Sequence, residues 1–233
     1  MVSHDGINYI SALPAGVGVP SILWRDCLLT VYGVPSLIGT IRCYLQSLRS
    51  SAPTSVHVLI LMPASYRGIE ACSQRPPFHM HIQGSKVDVS LRLHSETLWF
   101  IPPPNKPPSS KKELDAKLSP YYLEASSQEL PPWCPGRGQG AFSSHGSPVL
   151  VPRAHILLEA FIRLASAFRE GYGTYFLQMI TYMAEYPFDD GFVNIDLLSK
   201  PCQTFWDRLE EGKLPVRQLM DELQRDLGDD IDR

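Results

Sequence analysis

Two spacings of apolar residues run through this chain, one near 3.6 and one near 2, and the change between them divides it. Ser21 to Tyr32 places Ile22, Leu23, Cys27, Leu28 and Val31 close to a helical period. Gly33 follows as a natural stop and Pro35 forbids continuation, so a short amphipathic helix is predicted there. Leu37 to Leu45 and Val56 to Met62 are short, mostly apolar runs that suit buried strands. Phe78 to Ile82 and Lys86 to Leu93 flank Gln83-Gly84-Ser85 and predict a hairpin. In its second arm Val87, Val89, Leu91 and Leu93 share one face, with Asp88, Ser90 and Arg92 on the other. Thr97 to Ile101 is expected to add one more short strand.

The texture then changes. Nine of the 21 prolines lie between Pro102 and Pro135, and a run such as PPPNKPP favours extended polyproline II over helix. This stretch is expected to be a structural connector, with a helix within it over Leu114 to Glu124; a PxxP-type ligand for an aromatic groove is the alternative. From Val151 onward the pattern is helical. Arg153 to Glu170 carries a stripe of Ile156, Leu157, Ala160, Phe161, Leu164, Ala165 and Phe168, closed by Gly171. Thr174 to Tyr186 is a second helix, ended by Pro187; Thr204 to Glu211 and Val216 to Leu227 are two more. Three regions result: α/β over 1–101, a Pro-rich connector packed on that domain over 102–150, and a helical region over 151–233.

Composition narrows the function. An apolar fraction of 44% supports a real core, and a net charge of −3 gives no general pull toward nucleic acid or anionic membrane. Nine acids and five bases fall between Asp207 and Arg233, where a solvated helix face is expected. The five cysteines are scattered, odd in number and without CxxC, which predicts free thiols in a reducing compartment. No signal-peptide pattern opens the sequence, and the longest apolar run is broken by Pro63 and too short to cross a bilayer. A cytoplasmic protein is expected, without nucleic-acid or membrane partners.

Several residues invite a chemical assignment. His79 and His81 alternate on a strand, so His94 or Asp88 would complete a half metal site; paired structural histidines are the commoner explanation. PGRGQG (Pro135 to Gly140) could cradle a phosphate through backbone N–H groups, yet it lacks the Lys-Ser/Thr of a P-loop and does not follow a strand, which favours a connector. There is no GxSxG, and no cysteine lies in a recognisable His-partnered setting. Lys106, Lys111 and Lys112 form only a small cluster, short of a basic stripe.

Trp24 to Leu45, WRDCLLTVYGVPSLIGTIRCYL, has the helix–turn–strand order with which a nucleotidyltransferase site begins. Tyr32-Gly33 resembles the Tyr-Gly of bacterial antitoxin-system nucleotidyltransferases. Such enzymes need a D-x-D pair on the following strand and a third carboxylate on a neighbouring strand, because two Mg²⁺ ions must bridge phosphates and attacking hydroxyl. The alignment puts Thr40 and Arg42 at the paired positions and Asp88 at the third. DCLLTVYGVPS, LRLHSETLWFIPP, LPPWCPGRGQGAF, VPRAHILLEAFIRL and PVRQLMDEL, in that order, resemble a fungal protein family with a nucleotidyltransferase-like N-terminal half.

The resemblance implies an α+β fold: a nucleotidyltransferase-like mixed sheet with flanking helices, then a C-terminal helical bundle. With Thr40 and Arg42 replacing the metal pair, it implies a degenerate protein with no catalytic residues, metal or cofactor. Thr40, Arg42 and Asp88 are then a relict cleft that binds a nucleotide or small molecule without turnover. The alternative is an accessory protein that meets a protein partner through its C-terminal helices, beside a fungal secondary-metabolite pathway. A third reading keeps an active site from Asp88 and a further carboxylate such as Asp26.

Overall fold

The structure, a computed structural model, describes residues 21–36, 40–45, 61–62, 78–82, 88–104, 120–142, 149–168 and 172–228. Its elements run β1 (Ser21–Trp24), α1 (Asp26–Val31), β2 (Thr40–Leu45), β3 (Leu61–Met62), β4 (Phe78–Ile82), β5 (Asp88–Leu93) and a 3₁₀ turn (His94–Glu96). Then follow β6 (Tyr122–Glu124), β7 (Leu150–Pro152), α2 (Ala154–Ala167), α3 (Tyr172–Met183), a π turn (Ala184–Phe188), a second 3₁₀ turn (Ile195–Leu197), α4 (Lys200–Glu211) and α5 (Val216–Leu227). The architecture is mixed α/β with the helices gathered toward the C-terminus. The chain divides into two units, Met1–Pro152 with the sheet and Arg153–Arg233 with α2 to α5.

The strand order is β3-β4-β5-β2-β1-β7-β6. β2 runs parallel to β5 and β1 parallel to β7; the other neighbouring pairs are antiparallel. Residues 21–24, expected at the start of a helix, are instead a strand. Ile22, Leu23 and Trp24 are buried in succession, so this stretch has no polar face and suits a sheet interior covered on both sides. The helix begins only after Arg25, a non-glycine residue at φ 60° that turns the chain between the two elements.

Other expectations also shift. Thr97 to Ile101 is not a strand: Leu98 and Ile101 are buried through consecutive turns, with N–H bonds to His94 O (2.9 Å) and Leu98 O (3.2 Å). Where a helix was expected up to Glu124, residues 122–124 form β6, and Leu150–Pro152, at the border of the Pro-rich and helical regions, form β7. Pro187 does not end its helix. It sits inside a π turn whose wider ring, Asp189 N–H to Ala184 O at 3.2 Å, tolerates the missing proline N–H. The expected strand positions 37–39 and 56–60, the turn at Gln83 to Ser85, helix positions 114–119 and the stop at Gly171 lie outside the described residues.

In the C-terminal unit α2 packs against α3, α4 and α5, and Ile156 to Ser166 are buried on every side. Two charges share that burial. Arg163 donates from Nε (2.9 Å) and Nη2 (2.8 Å) to Glu159 Oε1, one helical turn away. Glu159 Oε2 accepts the Ser199 backbone N–H at 2.9 Å, and Arg163 Nη2 reaches Ser199 Oγ at 3.3 Å. The carboxylate therefore caps the start of α4, where the helix dipole favours negative charge. Removing one member of such a pair strands the other charge. Arg163→Met is expected to cost about 3–5 kcal/mol in urea unfolding, and adding Glu159→Gln, which keeps an acceptor for Ser199, is expected to recover more than half.

Candidate functional site

The sheet brings the three residues singled out from the sequence into two adjoining rows. Parallel pairing of β2 with β5 sets Thr40 beside Asp88 and Arg42 beside Ser90. On the far side of β5, His81 is the partner of Asp88 and His79 of Ser90. Beyond Arg42, on β1, lies Trp24. One row therefore reads Thr40–Asp88–His81 and the next Trp24–Arg42–Ser90–His79. Neighbouring positions across a row are roughly 5 Å apart and the rows about 7 Å apart, on one face of the pleat. These rows contain a single carboxylate position. Asp26 is not part of them; it lies in the first turn of α1.

The Tyr-Gly turn beside these rows has a local explanation. Gly33 N–H bonds to Thr30 O at 3.2 Å and Val34 N–H to Leu29 O at 3.0 Å, with Gly33 at φ 82°. This is a Schellman stop, which places a left-handed residue after the helix and so selects glycine. Tyr32 is buried and its hydroxyl donates to Pro152 O at the end of β7.

A second glycine motif closes over that turn. Gly138 N–H donates to Gly33 O at 2.7 Å and Gly140 N–H to Thr30 O at 2.9 Å. A Cβ on Gly138 would lie 2.5 Å from Thr30 O and 2.6 Å from Val34 O, so only glycine allows the approach. Arg137 N–H is likewise spent on Cys134 O at 3.1 Å. PGRGQG is thus a clasp on the helix stop, and these three N–H groups are not free to hold a phosphate. The same loop carries Trp133, 69% exposed, and the free thiol of Cys134 at the surface.

His94, one of the two candidate third ligands, has one ring nitrogen engaged elsewhere. It is buried at the end of β5 with its Nε2 2.7 Å from the Tyr122 hydroxyl, which donates to Pro102 O at 3.0 Å. With that hydroxyl proton committed, the neutral ring donates from Nε2. Among the described residues no three His, Cys, Asp or Glu side chains are placed to hold a metal ion. Burial pushes the Cys202 thiol up to about 11, with the Glu159 charge adding to it, so this cysteine is a protonated core residue. Burial also raises the Tyr122 hydroxyl, with a smaller contribution from Tyr121. No helix among the described residues is long and apolar enough to cross a membrane.

The chain matches no protein-family model, no curated protein and no solved structure.

Sequence reasoning missed the His94–Tyr122 contact, because Tyr122 sits in a stretch read as helix, and the buried Glu159–Arg163 pair, whose i, i+4 spacing was its one visible signal. Burial lowers the His94 pKa from 6.5 to about 4. The unfolded chain therefore takes up a proton below about pH 6.5 that the folded chain refuses until about pH 4. The stability that the neutral ring contributes is complete above pH 6.5 and is lost as pH falls through that window, by up to roughly 3 kcal/mol. Melting curves between pH 7 and 4.5 are expected to fall more steeply for the natural protein than for His94→Gln; parallel curves would contradict this.

Proposed function

We propose that this protein is a catalytically degenerate member of the nucleotidyltransferase-like group that holds a nucleotide, or a phosphorylated small molecule, without turning it over. The observation that carries the reading is the register of Thr40 against Asp88, with Arg42 in the adjoining row. Two-metal phosphoryl chemistry needs several hard oxygen ligands, since Mg²⁺ demands octahedral coordination and binds weakly to one carboxylate. These rows offer one aspartate and, two residues from Thr40, an arginine. A guanidinium is a permanent cation whose fork matches two phosphate oxygens. Thr40 and Ser90 add neutral hydrogen-bonding hydroxyls, and His79 and His81 add donors. The chemistry of this residue set favours capture of an anion by side chains over activation of a hydroxyl by metal. The clasp supports the same assignment, because it withdraws the Gly138 and Gly140 N–H groups that would otherwise compete for the phosphate.

Thermal denaturation with a panel of nucleoside mono-, di- and triphosphates, in Mg²⁺ and in EDTA, tests this. A ligand at about a hundred times its Kd stabilises by about 2.7 kcal/mol, which moves Tm by several degrees in a chain of this size. Stabilisation is expected in EDTA as in Mg²⁺, and is expected to vanish in Arg42→Ala. No shift with any nucleotide overturns the proposal. A shift that requires Mg²⁺ and disappears in Asp88→Asn would restore metal-dependent chemistry.

A further inference from the structure

The C-terminal unit carries a feature that owes nothing to the sheet. An open cleft of about 890 Å³, within the roughly 300–1,000 Å³ range of ligand sites, lies between the start of α4's last turns and the loop after the π turn. Its apolar surface is Phe188, Val193, Ile195 and Trp206. Phe188 and Trp206 meet edge to face with ring centroids 5.1 Å apart, so this wall is packed and rigid.

The remaining lining is acidic. Asp196, Asp207, Glu210 and Glu211 are all exposed carboxylates, and no lysine, arginine or histidine lines the cleft. Asp196 accepts a 3.4 Å bond from Gln203, and Glu211 pairs with the exposed Lys213 at 3.3 Å. Asp207 and Glu210 form no ion pair among the described residues. Their placement is electrostatically unfavourable within the unit itself. Asp207, Glu210 and Glu211 are spaced i, i+3, i+4, so they share a helix face with like charge. Glu210 and Glu211 also occupy the last turn of α4, where the helix dipole presents its negative end, and Arg208, the base of that turn, is paired with Glu222. Both costs are relieved by a cation that lies along the cleft.

A point cation does not fit, because no three of these groups converge on a metal position. Asp207, Glu210 and Glu211 lie along α4 and Asp196 on the facing 3₁₀ turn, with the apolar surface of Phe188, Val193, Ile195 and Trp206 among them. That combination selects an extended cation that also carries hydrophobic surface. We infer that the cleft binds a short lysine- and arginine-rich peptide segment of a protein partner, with aliphatic side chains against Phe188 and Ile195 and its cationic groups on Asp207 and Glu210. Electrostatic attraction would speed association, and the apolar wall would supply residence time. The inference is independent of nucleotide binding at the sheet.

Fluorescence anisotropy on the full chain tests it, with a labelled peptide that alternates Arg or Lys with Leu, at physiological ionic strength. Saturable binding is expected. Asp207→Asn/Glu210→Gln is expected to weaken it about tenfold, as loss of two exposed charge contacts of under 1 kcal/mol each would do. Ile195→Ser is expected to weaken it as well, and a Ser-for-Leu peptide of equal charge to bind less tightly. All three substituted residues are at least partly exposed, and circular dichroism verifies that the variants fold. Absence of binding, an unchanged Kd in the double charge variant, or equal affinity for the Ser-substituted peptide or for spermine would each overturn the inference.

Discussion

Two backbone hydrogen bonds organise the N-terminal unit: Gly138 N–H to Gly33 O, and Gly140 N–H to Thr30 O. They join residues more than a hundred positions apart; a Cβ on Gly138 would strike the turn itself, and one on Gly140, at φ 69°, would strike the Pro131–Trp133 backbone of its own loop. The six-residue helix α1 is too short to persist by propensity and has no side-chain cap at its start. Its end is fixed instead from three directions. The Schellman bonds satisfy its last carbonyls, the Tyr32 hydroxyl reaches Pro152 at the end of β7, and the clasp lies across the turn. The position of Thr40 and Arg42 relative to Asp88 is set by the pairing of β2 with β5, and β2 pairs in turn with β1, which leads into this helix.

The same corner explains what could be read from the sequence and what could not. Helix α5 and most of α2 were legible because their apolar stripes run for several turns. The pairing of β4 with β5 was legible from period two across a glycine turn. Ile22 to Trp24 misled because three buried residues in a row fit a helix and a doubly covered strand equally well; pairing with β2 and with the distant β7 decides between them. β6 and β7 were hidden for a related reason. They are three residues each, and proline surrounds or occupies them, so their strand character comes from pairing rather than propensity. PGRGQG was visible as a motif, but its role depends on a partner at Thr30 and Gly33 that composition cannot reveal.

The Tyr-Gly motif gains a second meaning from this. Within the chain it serves as a helix stop and an anchor, both of which need these two residue types irrespective of chemistry. Residue type matters for charge in the sheet rows and not in the turn. One aspartate, one arginine and a set of neutral or weakly basic donors favour an anion and disfavour a pair of hard cations. In the C-terminal unit the balance is reversed: acids gather at the negative end of a helix beside an apolar wall.

The clasp is the element on which this account turns, because it consumes the glycine N–H groups and leaves phosphate recognition to side chains. Residue-resolved amide hydrogen exchange measures it directly. The account predicts that the Gly138 and Gly140 amides exchange slowly, at rates that track opening of the whole unit, while the exposed Gly136 exchanges quickly. Exchange of Gly138 and Gly140 as fast as Gly136 would show a free glycine loop, and would return the backbone phosphate cradle as the simpler explanation of PGRGQG.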